Sequence, residues 1–571
     1  MTRLQISRIY CQTVQGWAFV AWVAWASSTI EAISYVDYDD LDGDVIKLDP
    51  SFFKKLPSLR LLNLSSWPYK IGFRSPDALR DPFPGELRFL EWPHCPLESL
   101  GSNFTPQNLV YLSMEESELK ELWKENQDVS SLKYVILSWS TELTCLPNLS
   151  QANLHMLRLD FCLNLVNLPP LRFHNDPDKE SKVMYQFNSL MDDLINNEGV
   201  MYEMYDGIRY LVEELSTNLL DLKGCSNLTT LSEISGNVKF IRLKFTAIKE
   251  LHPSISSLKN LLVLDLQWCK HLRELPNDIC ELESLEYLHM GRCVSFHKFL
   301  RLPKSLKVLD LSETSIQQVD SSSFDCLPSL VILFMNGCDK LESLPTTICK
   351  LKSLQVLNLE DCSQLKSFPE ILEPMEKLHN LCLNRTGIEV LPSSIENLDL
   401  SGPNFCYSGD TITQWFDHQS MGSSLELNLP FSSSEDYYGN FLGFALCVVV
   451  EFEATTLKRD DELKCEYNLK TKNGRYFQFY STMQCQKATH FDDSNLDSSS
   501  NHQVFVWSPN REDISYDYGK FLIFSEKEMN QADNIVASKF LKILCVRSHV
   551  VLFLKRGTLF PLLRFCPHFT L

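Results

Sequence analysis

The sequence predicts an α/β solenoid, a curved parallel sheet of stacked short strands, followed by an all-β domain of sandwich type. Three observations predict it. Between Leu261 and Pro392 nearly one phrase recurs: LLVLDLQWCKHLRELP from Leu261, LVILFMNGCDKLESLP from Leu330 and LQVLNLEDCSQLKSFP from Leu354. The units start at Leu261, Leu285, Leu306, Leu330, Leu354 and Leu378, separated by 24, 21, 24, 24 and 24 residues. A skeleton L-x-x-L-x-L-x-x-C-x-x-L-x-x-L-P at this period is the signature of leucine-rich repeats, whose units bury their apolar side only by stacking. Beyond Asn404 the period stops, and short alternating runs bounded by turn residues take over, the pattern of packed antiparallel sheets.

Length and composition narrow the function. A chain of 571 residues with 44% hydrophobic content can bury more than one core. A formal net charge of −20 argues against a nucleic-acid or anionic-membrane partner, because neutralising phosphates selects a basic face. No C-x-x-C pair occurs among the 19 cysteines, so no zinc site is expected. Neither H-E-x-x-H, G-x-S-x-G nor a G-x-x-x-x-G-K-[ST] loop is present; Gly519-Lys520 lacks both the glycine lead and the hydroxyl residue. His418 beside Asp417 is the nearest approach to a catalytic pair, but adjacent residues on an alternating strand seldom face each other. The chain is therefore expected to be no enzyme and to hold no cofactor or metal.

Residues 1–44 read as an N-terminal segment and linker. Gly16 to Ala26 is apolar, follows Arg3 and Arg8, and ends in Ala24-Trp25-Ala26, which resembles a signal-peptidase site. It is too short to span a bilayer. Nothing downstream looks extracellular, so a buried or aberrant segment is the expectation. Asp37 to Asp44 is acidic and turn-rich.

The repeat array is read over 45–403. Further units start at Leu59, Leu87, Leu109, Leu132 and Leu154, then at Thr217 and Val238, with a shortened unit at Ile395. Cys162, Cys225, Cys269, Cys293, Cys338 and Cys362 recur where the chain turns out of the strand, a place for a small buried residue. Unpaired thiols used in this way fit a reducing compartment. An acidic insertion over about 172–216 breaks the rhythm and reads as a projecting loop.

Between the strand leucines, side chains alternate onto the concave face. The candidate protein-binding residues there are Tyr111, Tyr134, Arg158, Arg242, Asp265, Tyr287, His289, Asp310, Phe334, Asn358, Glu360 and Asn384. They mix charge, amide and aromatic types without a repeating rule, as a surface for a specific protein partner would. The aromatics are the stronger contact candidates, since such rings dominate interface energetics.

The all-β domain is read over 404–545. Leu425-x-Leu427-x-Leu429 alternates as a strand, and Phe441 to Phe452 is an apolar run of strand length. Asn473-Gly474 sits between two strand-like runs as a hairpin signal, and Val504 to Trp507 supplies another strand. The remaining 546–571 is an apolar, basic tail interrupted by Lys555 and Arg556.

Two stretches carry a family resemblance. The repeats, with Cys where other classes prefer Asn and with Leu-Pro endings, resemble those of plant intracellular immune receptors. These are the Toll/interleukin-receptor-type nucleotide-binding leucine-rich-repeat disease-resistance proteins. The second stretch combines Cys406-Tyr-Ser-Gly-Asp, then Trp415-Phe416, Gln419 and Gly422-Ser423-Ser424, then Leu429-Pro430 and Gly443 to Cys447. It resembles the post-repeat jelly-roll/Ig-like domain (C-JID) of the same receptors. Ser408 and Thr413 depart from that family's usual prolines. The resemblance implies a cytoplasmic or nucleocytoplasmic role in defence, with a pathogen effector or another receptor domain as the protein partner, no nucleic acid and no membrane. No stretch before Glu31 has room for that family's NAD-cleaving domain, so a recognition portion is expected. The alternative is an extracellular repeat receptor or inhibitor, although the L-x-G-x-I-P phrase of such repeats is absent.

Overall fold

A computed structural model describes residues 53–64, 83–174 and 218–398 with few interruptions. It adds the short strands Ala32–Ser34, Ile46–Leu48 and Ile71–Phe73 and, beyond 398, the backbone of eight strands. The chain divides into two compact units, 1–315 and 316–571.

In the first unit each repeat supplies one three-residue strand to a single parallel sheet. In order these are Ala32–Ser34, Leu61–Asn63, Phe89–Glu91, Tyr111–Ser113, Tyr134–Ile136, Met156–Arg158, Leu219–Asp221, Phe240–Arg242, Val263–Asp265, Tyr287–His289 and Val308–Asp310. Every pairing is residue for residue, as in Phe89↔Tyr111 and Val263↔Tyr287. The register follows from the leucine pattern. The middle residue of each strand (Leu62, Leu90, Leu112, Val135, Leu157, Leu220, Ile241, Leu264, Leu288, Leu309) is fully buried, so a slip of one residue would expose the whole row. Each such side chain contributes roughly 1.5–3 kcal/mol by leaving water.

The turn after each strand is held by the recurrent cysteines. The thiols of Cys162, Cys225, Cys269 and Cys293 lie 3.1–3.2 Å from the carbonyl oxygens of Leu137, Leu159, Leu243 and Leu266 in the preceding repeat. Ser140 does the same to Met114, at 3.1 Å. The position therefore wants a small residue with a donor, which the small-hydrophobe reading captured only in part. The described cysteines are all free.

Two boundaries move in this unit. Ala32–Ser34 pairs in register with Leu61–Asn63, so the sheet begins inside the segment read as linker. Leu171–Phe173 pairs with Ile234–Gly236 on the outer side, so Arg172 and Phe173 belong to the array and not to the insertion. Gly236 has φ +91°, and a Cβ there would meet the Phe173 carbonyl oxygen at 2.0 Å, so this pairing needs glycine. Residues 175–217 lie outside the described residues. Leu219–Asp221 nevertheless pairs directly with Met156–Arg158, so the sheet runs on across the insertion.

In the second unit Ile332–Phe334, Val356–Asn358 and Asn380–Leu383 continue the parallel pattern. Asn404–Ser408 follows at the same interval and pairs parallel with Asn380–Leu383, so the array extends past 403. Its far edge pairs antiparallel with His502–Trp507, which is followed by Ala445–Glu451 and Arg547–Phe553. That last strand lies in the segment read as a tail, so the boundary at 545 falls too early. A second antiparallel sheet takes Ser424–Asn428, Ala532–Phe540, Glu462–Thr471 and Tyr476–Gln484 in that order. Glu462–Thr471 and Tyr476–Gln484 flank Asn473-Gly474, whereas Ala532–Phe540 has no counterpart in the sequence reading. Among the described residues no helix is long and apolar enough to cross a membrane.

Candidate protein-interaction surface

The first position of the inner strands carries an aromatic stack in the early repeats. Phe89 and Tyr111 lie face to face, with centroids 4.3 Å apart and planes 3° apart, and Tyr134 follows at 6.0 Å. In-register neighbours about 4.8 Å apart place these rings on one another. All three are half-buried. Tyr287, in the same column, is instead fully buried against the His289 ring.

The third position of the inner strands does follow a rule, contrary to the sequence reading. On six successive strands it reads Arg158, Asp221, Arg242, Asp265, His289, Asp310, base alternating with acid. Arg242 donates to Asp221 at 2.9 Å. The His289 ring lies 2.8 Å from Asp310 on one side and 3.5 Å from Asp265 on the other. Arg242, His289 and Asp310 are buried; Arg158 and Asp265 are half-buried. These charges are spent largely on one another, so most of the column is not the free contact surface that the sequence suggested.

Acids at this position also have a local duty. The Asp221, Asp265 and Asp310 carboxylates accept the backbone N–H two residues on, at 3.1, 3.0 and 2.9 Å, and Asn358 does the same for Glu360. Such bonds fix the turn out of the strand. Burial alone would raise the Asp310 carboxyl, but the His289 charge and the hydrogen bonds from His289 and Ser312 outweigh it and hold it at about 2.

In the second unit Phe334 and Asn358 are buried. Glu360 pairs with Arg385 at 3.1 Å, and Arg385 also bonds Asp361. Burial pushes the Glu360 carboxyl up to about 7, against the pull of Arg385. Asn384, Trp415, Phe416, Gln419, Gly422 and Ser423 lie outside the described residues, and Ser424 is described only as the first residue of its strand.

A further column escaped the sequence reading: the residue just before each turn cysteine, serine or threonine. Trp139, Phe161, Phe245 and Trp268 stand there, and each has φ between 60° and 64°. Bulky residues rarely adopt this left-handed conformation, and each costs about 1–2 kcal/mol. The signal was legible as aromatic-Cys, aromatic-Ser and aromatic-Thr dipeptides in register with the repeat. Among the described residues no cluster of His, Cys, Asp and Glu could hold a metal ion.

Comparison with known proteins bears on this surface. A C-JID domain model matches residues 407–538, starting within the last parallel strand. The chain is 27% identical over 470 residues to the disease resistance protein RPS4B of Arabidopsis thaliana, covering 73% of this chain and 36% of that protein. It is 27% identical over 541 residues to the disease resistance protein RPP2B of the same plant, covering 76% of this chain and 43% of that one. The leucine-rich repeat domain of APL1B, a solved structure, overlaps 71% of this chain and 96% of its own at 13% identity. Its TM-score of 0.30 is too loose to build on. The chain is thus similar to plant disease resistance proteins over most of its length and carries a C-JID match, and it spans less than half the length of either relative named here.

Proposed function

We propose that the chain is a non-catalytic recognition module of a plant immune receptor, acting in the cytoplasm or between cytoplasm and nucleus. The observation that carries this reading is the C-JID match beginning where the repeat sheet ends, in a chain homologous to disease-resistance proteins. On this reading the strands after 404 close into a two-sheet sandwich of jelly-roll kind. The partner is a pathogen effector or another domain of the receptor.

Contact falls on the half-buried Phe89, Tyr111 and Tyr134 stack, with the exposed Glu115 and the half-buried Arg158 beside it. Rigid rings give a partner large area at little entropy cost, and the charge ladder on the strands that follow keeps the sheet in one register. Within these residues no phosphate-binding loop occurs, so the proposal assigns them recognition rather than nucleotide switching.

The test is binding of the purified chain to a panel of secreted pathogen proteins, repeated with Tyr111→Ala and Tyr134→Ala. Loss of about tenfold or more in affinity for a bound effector supports the inner face. Binding that neither substitution changes would remove it, and NAD or nucleotide turnover by the purified chain would remove the non-catalytic reading.

A further inference from the structure

The left-handed column forms a ribbon along the rim of the inner sheet. Trp139 stacks on Phe161 at 4.1 Å and 19°, and Phe245 stacks on Trp268 at 5.4 Å and 28°. Gly224 holds the same repeat position between the two pairs, and a Cβ there would meet the Phe161 ring at 2.6 Å. The outer faces of the pairs carry cations. Lys223 lies over Phe161 at 5.3 Å, Lys244 over Phe245 at 5.2 Å, and Lys270 and Arg292 over Trp268 at 5.2 and 4.3 Å, with Arg292 also paired to Glu313 at 2.8 Å.

The ribbon is exposed: Trp139 is 52% and Phe245 41% accessible. The other large apolar side chains exposed among the described residues of this unit are Leu163, Val166 and Val294. Four aromatics held at positive φ and left partly in water are poor choices for stability alone, and two such exposed pairs on one rim mark a contact surface.

Its chemistry states the partner. The faces of Phe161, Phe245 and Trp268 are taken by other rings and by ammonium and guanidinium groups, which turns their edges outward. Edges carry the positive end of the aromatic quadrupole, so the rim and Lys223, Lys244 and Lys270 together present a locally positive, apolar strip, the Arg292 charge being met by Glu313. With the faces of three of the four rings occupied, nucleobases have no continuous platform on which to stack. From Trp139 to Arg292 the strip crosses about 24 Å at the usual strand spacing, the reach of roughly seven extended residues.

We propose that this rim is a second contact surface, which takes an extended segment of a partner protein with alternating acidic and apolar side chains. It is separate from the inner-face stack, and its failure would leave that reading standing.

The experiment uses the full chain and a fluorescein-labelled peptide of alternating glutamate and leucine, followed by fluorescence anisotropy. The controls are a peptide of alternating lysine and leucine and an oligothymidylate. The acidic peptide should bind, the lysine peptide should not, and Trp139→Ser and Phe245→Gly should each weaken binding about tenfold or more. Lys270→Glu, an exposed change that leaves the core untouched, should weaken it too, with the melting temperature of each variant measured alongside. No binding of the acidic peptide, equal binding of the lysine peptide, folded variants that bind undiminished, or displacement by the oligothymidylate would each overturn the proposal.

Discussion

The His289 imidazole lies 2.8 Å from the Asp310 carboxylate of the next strand, with both side chains almost sealed from solvent. Asp265 faces the same ring from the strand before. Removing the ring would leave two acids, one of them buried, without their shared partner. His289→Ala is therefore expected to cost about 3–5 kcal/mol of unfolding free energy in urea titration, because breaking a buried pair strands a charge. An unchanged midpoint would mean that the ladder does not hold the sheet.

The same pair sets an acid limit. In the unfolded chain Asp310 titrates near 3.8, and in the folded chain near 2. A depressed folded pKa gives stability that is present above 3.8 and lost as pH falls towards 2, on the order of 2 kcal/mol. Asp310→Asn should flatten that part of the stability–pH curve. A curve with the wild-type slope between pH 4 and 2 would assign acid unfolding to other carboxylates.

Glu360 works in the opposite sense. Burial raises its carboxyl from 4.5 to about 7. A raised folded pKa gives stability that is full below 4.5 and lost as pH rises through 7, when a desolvated carboxylate must be kept beside Arg385. Glu360→Gln should therefore abolish the fall in melting temperature between pH 5 and 8. It should also raise stability at pH 8 by about 1–2 kcal/mol, provided that Arg385 keeps its Asp361 contact.

The repeat phrase carried most of the fold, because a period-two leucine pattern inside a 21–24-residue period leaves the strands one register to adopt. It could not mark Ala32–Ser34, which has one buried isoleucine and no leucine skeleton. Nor could it separate Arg172 and Phe173 from the acidic stretch after them, since their pairing partner is 63 residues downstream. The contact face was harder. Composition alone made Arg242, His289 and Asp310 resemble free charges, and only the direct pairing of Met156–Arg158 with Leu219–Asp221 reveals the alternation. The rim column was missed because aromatics beside a turn cysteine read as core until their φ places them outside it.

Thiol chemistry should follow the turn ladder. Burial pushes the Cys162 and Cys269 thiols up to about 12, so the reactive thiolate is scarce at neutral pH. Iodoacetamide on the native chain, read by peptide mass spectrometry, should label the exposed Cys145 first and the half-buried Cys280 and Cys326 more slowly. Cys162 and Cys269 should stay unlabelled until denaturant is added. Early labelling of either would show that the turns open without global unfolding.

Two left-handed positions in this chain should respond to substitution in opposite ways. At Gly236 a Cβ would sit 2.0 Å from a backbone carbonyl that cannot give way, so Gly236→Ala should cost about 2–4 kcal/mol and release the outer pair with Leu171–Phe173. At Phe245 the substitution runs the other way. Phe245→Gly loses a ring stack worth about 0.5–1.5 kcal/mol beyond its area but relieves about 1–2 kcal/mol of backbone strain. The ring is 41% accessible, so little burial is forfeited. Its melting temperature should stay close to that of the parent while the parent's acidic-peptide binding is lost. A large drop in melting temperature would instead make the ribbon a structural strut, and the strain at Phe245 would then have a purely architectural cause.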